Sequence, residues 1–170
     1  MLYEINEKAL KLESEGKKII RLNIGDPDMA TPPEIVEAAY ASMKAGKTKY
    51  SSSYGELSLR KKIAELRGVK PENVVITPGS KWSIFVTLFL MLKNGGNVII
   101  PTPYWTAYDL IAKNIGAKTK LLRTEMEDGW KVDLNELENL IDKDTKMIIL
   151  NNPNNPTSKS MDAKTLDGIV

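Results

Sequence analysis

The sequence predicts an α/β protein with an open, mostly parallel, doubly wound sheet. Short apolar runs of roughly four to six residues alternate with helical patterns of roughly ten to fifteen, as in strand–helix–strand crossovers. The runs at 73–77 and 146–150 are almost continuously apolar, which suits strands covered on both faces. No internal repeat or low-complexity tract interrupts the chain.

Two helices are predicted before the first strand. Thr31 and Glu34 have the spacing of a capping box, with proline at the first helical position, so a helix should run over 32–45 and end at Gly46. A second helix fits 56–67, because leucine and isoleucine recur on one face and Gly68 follows.

From residue 73 onward, strands and helices alternate. Asp133 stands three residues before Glu136, so a helix should begin there by the same capping logic. The remaining elements follow from apolar runs and glycine stops: strands at 73–77, 97–101, 118–124 and 146–150, and helices at 80–93 and 103–116.

Composition excludes several classes of function. The chain has no cysteine and no histidine, which removes disulfides, thiolate nucleophiles, serine–histidine triads and most zinc sites. A formal net charge of +2 gives no electrostatic reason to expect nucleic acid. The longest apolar run, 84–92, is short of the about 20 residues that a membrane span needs. We expect a cytoplasmic protein without a signal peptide or a membrane partner.

Three polar segments follow predicted strands: PGSK at 78–81, TPYW at 102–105 and NNPNNPT at 151–157. In an open α/β sheet, ligands bind beyond the carboxyl ends of the strands. Each segment alone has an ordinary structural explanation, as a tight turn, a core aromatic residue or a loop. Together they describe a pocket with a helix N-terminus for a phosphate, an indole for a flat ring and amide donors.

A phosphorylated, planar, hydroxylated ring would fit such a pocket, and pyridoxal 5'-phosphate is such a molecule. Nicotinamide and flavin dinucleotides fit poorly, because the glycine fingerprint and the acidic ribose partner are missing. No metal site is expected.

Five ordered segments carry a resemblance to a known family: IGDPDMATP, YSSSYGELSLR, ITPGSKWSIF, PTPYWTAY and NNPNNPTS. Their order and spacing resemble those of class I/II pyridoxal-phosphate-dependent aminotransferases of fold type I, over nearly the whole chain. The resemblance implies the cofactor pyridoxal 5'-phosphate, amino acid and 2-oxo acid substrates, and a homodimer with shared sites.

The resemblance also implies roles for individual residues. Ser158 departs from the usual glycine, and Trp82 stands where a smaller or polar residue is commoner. The matched positions are Gly79, Ser80 and Lys81 for the cofactor phosphate, Trp105 for stacking on the pyridine ring, Asn155 for the phenolic oxygen, Tyr50 for the phosphate of the neighbouring subunit, and Gly25 for the substrate carboxylate. Pro156 and Thr157 continue the motif of Asn155.

No catalytic residue is assigned. In the family, the lysine that forms a Schiff base with the cofactor lies well beyond the asparagine segment, after an aspartate that pairs with the pyridine nitrogen. Lys81 and Lys159 do not match it. The resemblance therefore implies an N-terminal half, with residues 1–30 belonging to an arm or small domain and 31–170 to the cofactor-binding domain. We expect the chain alone to be inactive and poorly soluble or associating.

The resemblance implies amino group transfer by a ping-pong route in the parent protein, with aspartate or a broad range of amino acids as substrate. Two alternatives stay open on these residues. A pyridoxal-phosphate-dependent β-eliminating lyase would use the same phosphate turn and ring asparagine. A non-catalytic binding or regulatory module would use the scaffold alone.

Overall fold

The computed structural model describes residues 2–25 and 27–170. The chain divides into two compact units, residues 1–51 and residues 52–170. The division that the resemblance implies, between residues 30 and 31, stays a prediction.

Among its described residues the first unit has two helices, α1 (Leu2–Ser14) and α2 (Pro33–Lys44), and the described residues between them have no helix or strand. Helix α2 confirms the predicted helix, but the capping box is wrong. The N-cap is Pro32, which has no polar side chain, and no side chain caps the helix. Thr31 lies one residue too early to accept a bond from the first turn.

The second unit is built on three strands and five α-helices among the residues that the structure describes. Parallel strands need crossover connections, and helices lie in the connections between these strands. In chain order the elements are α3 (Leu57–Arg67), a 3₁₀ turn (Pro71–Asn73), α4 (Ser80–Leu92), β1 (Asn97–Pro101), α5 (Ala107–Asn114), β2 (Lys118–Leu122), α6 (Leu134–Leu140), β3 (Thr145–Ile148) and α7 (Ala163–Ile169).

The sheet has the order β2-β1-β3, and β1 pairs in parallel with both neighbours. Strand β1 is the centre of the core, because Val98, Ile99 and Ile100 are buried to within 1% of full coverage. An open parallel sheet confirms the predicted fold class.

Alternate residues of β1 point to opposite faces of the sheet, and both faces are covered. Val98 and Ile100 pack in one apolar cluster with Leu88 of α4 and Ala112 of α5. Ile99 packs in a second cluster with residues of β2, α6 and α7, namely Leu122, Leu137 and Ile169. This two-sided cover explains why the strand is continuously apolar.

Two predicted elements differ from the structure by more than two residues at one end or are absent from it. Residues 74–77 are not a strand, although Val74 has extended backbone angles of φ −116° and ψ 127°. The sheet that the described residues form has three strands, and 74–77 is not among them; its Ile76 N–H donates to Tyr54 O instead. The helix predicted over 103–116 begins later, at Ala107, because the preceding proline-containing residues form the loop after β1.

A polar network closes the amino ends of β1 and β3. The Asp142 carboxylate accepts hydrogen bonds from the Lys120 ammonium at 2.7 Å and from the Asn97 amide at 3.0 Å. Thr145 Oγ1 donates to Asn97 Oδ1 at 2.9 Å. Asn97 is only 4% exposed, so these bonds satisfy polar atoms that would otherwise be buried without partners.

Acid should weaken the second unit through this network. The Lys120 ammonium and then the Asn97 amide hold the pKa of Asp142 well below its usual range. A carboxyl with a lowered folded pKa stabilises the fold above its unfolded pKa of about 3.9, and this stability is lost as the pH falls towards the folded pKa. We expect the urea midpoint to fall below about pH 5, and Asp142→Asn to remove part of that fall.

The Asp142 side chain is 47% exposed, so solvent screens the ion pair and the effect should be modest. Asp128→Asn is the matched control, because Asp128 is exposed and lies outside the network. If the Asp142 and Asp128 variants respond to acid in the same way as the unchanged chain, the network does not couple stability to pH.

Candidate cofactor site

The carboxyl edge of the sheet has a topological switch point between β1 and β3. The chain passes from β1 to β2 on one side, while β3 pairs with the other side of β1. Ligands of open α/β sheets bind at such a point, where the connections diverge. The loops that follow β1 and β3 meet here, since Asn154 Nδ2 donates to Pro103 O at 3.0 Å.

The turn before α4 presents its backbone at an exposed surface. Gly79 is the N-cap of the helix, with φ 84° and ψ 157°. A Cβ on Gly79 would meet nothing within 4 Å, so the positive φ, not a lack of space, requires glycine there. Ser80 and Lys81 begin the helix, where the N–H groups and the macrodipole favour an anion.

The structure brings this turn and the predicted stacking residue together. The Lys81 ammonium lies 5.5 Å from the centroid of the Trp105 ring. Trp105 is half-buried against the cluster of α4 and α5, and its ring meets the Tyr108 ring edge-on at 5.4 Å. A cation and a fixed aromatic surface therefore lie side by side at the switch point.

The segment 151–157 contains four asparagines, and the side chains of three of them form hydrogen bonds within the fold. Asn151 Oδ1 accepts from Asn155 N–H at 3.1 Å, and Asn152 Oδ1 accepts from Met161 N–H at 3.0 Å. Asn154 binds Pro103 and Thr157. The Asn155 side chain is exposed, and it makes no hydrogen bond to any residue that the structure describes.

Sequence reasoning missed the structural asparagines, above all Asn154, which ties the two loops together. Their signal was present, because a cluster of asparagine and proline predicts side chains that bond to nearby backbone. Ser158 has φ 58°, so the serine adopts the left-handed conformation that glycine favours.

The two tyrosines beside Trp105 keep neutral phenol groups. Burial, and then the Asp109 carboxylate, raise the pKa of Tyr104 above its usual value. Burial alone raises the pKa of Tyr108. Both phenols therefore stay protonated near neutral pH.

A cavity of about 170 Å³ lies elsewhere at the same edge of the sheet, and its lining includes Tyr104, Trp130 and Thr157. Its lining does not include the residues predicted to contact the cofactor from this unit, namely Gly79, Ser80, Lys81, Trp105 and Asn155. The candidate site is accordingly an open surface between loops. It consists of Gly79, Ser80, Lys81, Trp105 and Asn155.

Gly25 and Tyr50 belong to the first unit. Gly25 has open space around its α-carbon, and Tyr50 is fully exposed. Their roles at the site stay predictions.

Comparisons with known proteins identify the family of this chain. Residues 17–170 match the family described as aminotransferase class I and II. The chain belongs to the class I and II aminotransferase family. Among its relatives, an aspartate aminotransferase of Sulfolobus acidocaldarius is 34% identical, and the match covers 100% of this chain and 44% of that protein. A (5-formylfuran-3-yl)methyl phosphate transaminase of Methanocaldococcus jannaschii is 39% identical, over 91% of this chain and 41% of that protein.

Solved aminotransferases have the same fold. The aspartate aminotransferase of Thermus thermophilus, solved with maleate, superimposes with a TM-score of 0.95 at 32% identity, over 99% of this chain and 46% of its own. The alanine aminotransferase of Pyrococcus furiosus gives a TM-score of 0.92 at 33% identity, over 99% of this chain and 45% of its own. The chain thus has the fold of the fold type I aminotransferases and spans less than half the length of these relatives.

No described helix has the length and apolar character to cross a bilayer. Within residues 2–25 and 27–170, no three acidic, histidine or cysteine side chains gather as metal ligands.

Proposed function

We propose that the protein to which this chain belongs is a pyridoxal-phosphate-dependent aminotransferase. It transfers an amino group between an amino acid and a 2-oxo acid by a ping-pong route. The observation that carries the proposal is the pairing of Lys81 with the Trp105 ring at the switch point of an aminotransferase fold. This arrangement fits a molecule that combines a phosphate with a flat ring.

The residues present suit the cofactor at each of its groups. The turn of Gly79, Ser80 and Lys81 would hold the phosphate, with the helix N-terminus and the ammonium as its charge partners. Trp105 would stack on the pyridine ring, because its other contacts fix the indole. The Asn155 carboxamide has no hydrogen bond within the described residues, so it can donate to the phenolic oxygen.

When bound, pyridoxal phosphate supplies the carbonyl that accepts the amino group and the electron-withdrawing ring that makes proton transfer possible. This chain would contribute binding and orientation. Gly25 would contact the substrate carboxylate, and Tyr50 would reach the phosphate of a second copy in a homodimer. We further propose a cytoplasmic location.

The proposed substrate is aspartate or a broad range of amino acids, since several relatives are named aspartate aminotransferases. We also propose that the 170-residue chain binds the cofactor without turning over amino acids. Neither Lys81 nor Lys159 matches the lysine that holds the cofactor covalently in the family.

Titration of the chain with pyridoxal phosphate tests the proposal. In the Trp82→Phe/Trp130→Phe variant, Trp105 is the one tryptophan left, so its fluorescence reports stacking directly. We expect saturable quenching that inorganic phosphate competes away, and much weaker quenching by pyridoxal, which lacks the phosphate. Quenching by pyridoxal and pyridoxal phosphate alike, or none, would contradict the proposed site.

Product analysis of the parent protein tests the reaction. Glutamate formed from 2-oxoglutarate in the presence of aspartate supports transamination. Pyruvate and ammonia formed from a β-substituted amino acid would instead indicate a lyase.

A further inference from the structure

We propose that Thr77 and Ser83 are positioning residues that aim the backbone of the turn 79–81 at the cofactor phosphate. The proposal rests on the proposed function, because it concerns the same phosphate site. Neither side chain is expected to touch the cofactor. Both are half-buried, whereas Gly79, Ser80 and Lys81 are exposed.

The two hydroxyls form a relay with a defined direction. Thr77 Oγ1 lies 3.0 Å from Gly79 O and donates to it. The same Thr77 Oγ1 lies 2.5 Å from Ser83 Oγ. A hydroxyl has one proton, so Thr77 cannot donate to both oxygens. Ser83 must therefore donate to Thr77, and Thr77 to Gly79.

Both the N–H and the carbonyl of Gly79 form hydrogen bonds. Its N–H donates to Thr77 O at 2.8 Å, and its carbonyl oxygen also accepts the Trp82 N–H at 3.3 Å. The Thr77 hydroxyl adds a second donor to that carbonyl. These bonds keep the glycine at φ 84°, a conformation that a free glycine would leave readily.

The orientation of the Gly79 carbonyl decides where the next N–H points. The carbonyl of Gly79 and the N–H of Ser80 belong to one planar trans peptide, so they point in opposite directions. Bonds that pull the carbonyl inward, towards Thr77 and Trp82, turn the Ser80 N–H outward. That N–H begins α4, where an anion would bind.

The test compares Ser83→Ala with two matched variants of the same helix. Ser83→Thr keeps the hydroxyl and should restore the relay. Thr87→Val removes a hydroxyl whose bond is to Ser83 O at 2.8 Å, and so leaves the turn untouched. Amide hydrogen exchange of Gly79 and Trp82, measured without any ligand, reports on the turn itself, and titration with inorganic phosphate reports on the site.

We expect Ser83→Ala to speed exchange at Trp82 and to weaken phosphate binding by about threefold to tenfold, which corresponds to one ordinary hydrogen bond. Ser83→Thr should return both values, and Thr87→Val should leave both unchanged. Thr77→Val should act at least as strongly as Ser83→Ala, and the double variant no more strongly than Thr77→Val, because both residues act through one relay.

The outcomes separate the relay from the proposed function. If the unchanged chain binds phosphate and Ser83→Ala alters neither its exchange nor its affinity, the relay is refuted while the cofactor site stands. If the unchanged chain binds neither phosphate nor pyridoxal phosphate, the proposed function fails, and unchanged exchange in Ser83→Ala would refute the relay separately. Thermal melting checks that each variant is folded.

Discussion

Replacing Lys81 with methionine should weaken the binding of inorganic phosphate and of pyridoxal phosphate by about tenfold to a hundredfold. The range corresponds to the loss of one charge-assisted hydrogen bond, which contributes about 1.5–3 kcal/mol. Lys81 begins α4 beside an exposed turn, and its ammonium also faces the Trp105 ring. One substitution therefore removes the proposed charge partner of the phosphate and alters the surface on which the pyridine ring would stack.

Lys93→Met is the matched control, because Lys93 caps the other end of the same helix. It removes the same charge from the chain while leaving the turn alone. Added salt should weaken phosphate binding in the unchanged chain and in Lys93→Met, and should weaken it less in Lys81→Met, since a charge contact is screened. Lys81→Arg should bind better than Lys81→Met. Equal affinities of Lys81→Met and Lys93→Met would refute the assigned role.

The fold could be predicted because its signals are local. Strand β1 matches its prediction at both ends, since a short apolar run between glycine and proline leaves few alternatives. The cap of α6 was also predictable, and Asp133 accepts from the N–H groups of Asn135 and Glu136. Hydrophobic periodicity and helix caps depend on residues a few positions apart, so these elements could be predicted without knowing which distant residues they contact.

The failed strand at 73–77 shows where local signals end. Val75 is 54% exposed, although the run is as apolar as β1. A β-branched segment becomes a strand when another strand accepts its hydrogen bonds, and the described residues provide none beside it. The β-branched sequence indicates a preference for extended backbone, but the pairing of one strand with another depends on tertiary structure.

The site was predictable in its parts and not in its geometry. Strand ends and residue types singled out Lys81, Trp105 and Asn155, and the structure adds the contact between the first two. The relay of Thr77 and Ser83 had no sequence signal, because two hydroxyls six positions apart meet only when the turn at Gly79 folds back. Hydrogen bonds that depend on a turn's exact course are visible only in three dimensions.

The second large effect concerns stability. Ile99→Ala should lower the free energy of unfolding of the second unit by about 2–4 kcal/mol, as for other fully buried aliphatic residues cut back to alanine. Ile99 is fully buried in the central strand and packs against Leu122 and Leu137. Small domains are stable by only about 5–15 kcal/mol, so the cavity left by Ile99→Ala would remove a large part of the stability. Urea unfolding measures the loss.

Leu90→Ala is the matched control for the size of the deletion, because it removes nearly the same atoms from a side chain on α4 that is 59% exposed. Its effect should stay within about 0.5 kcal/mol, since little apolar surface leaves the core and alanine favours a helix. The dependence of unfolding on urea should keep the same slope in both variants, which would show that the denatured states are alike. A loss in Ile99→Ala no larger than that in Leu90→Ala would mean that β1 is not the centre of the core.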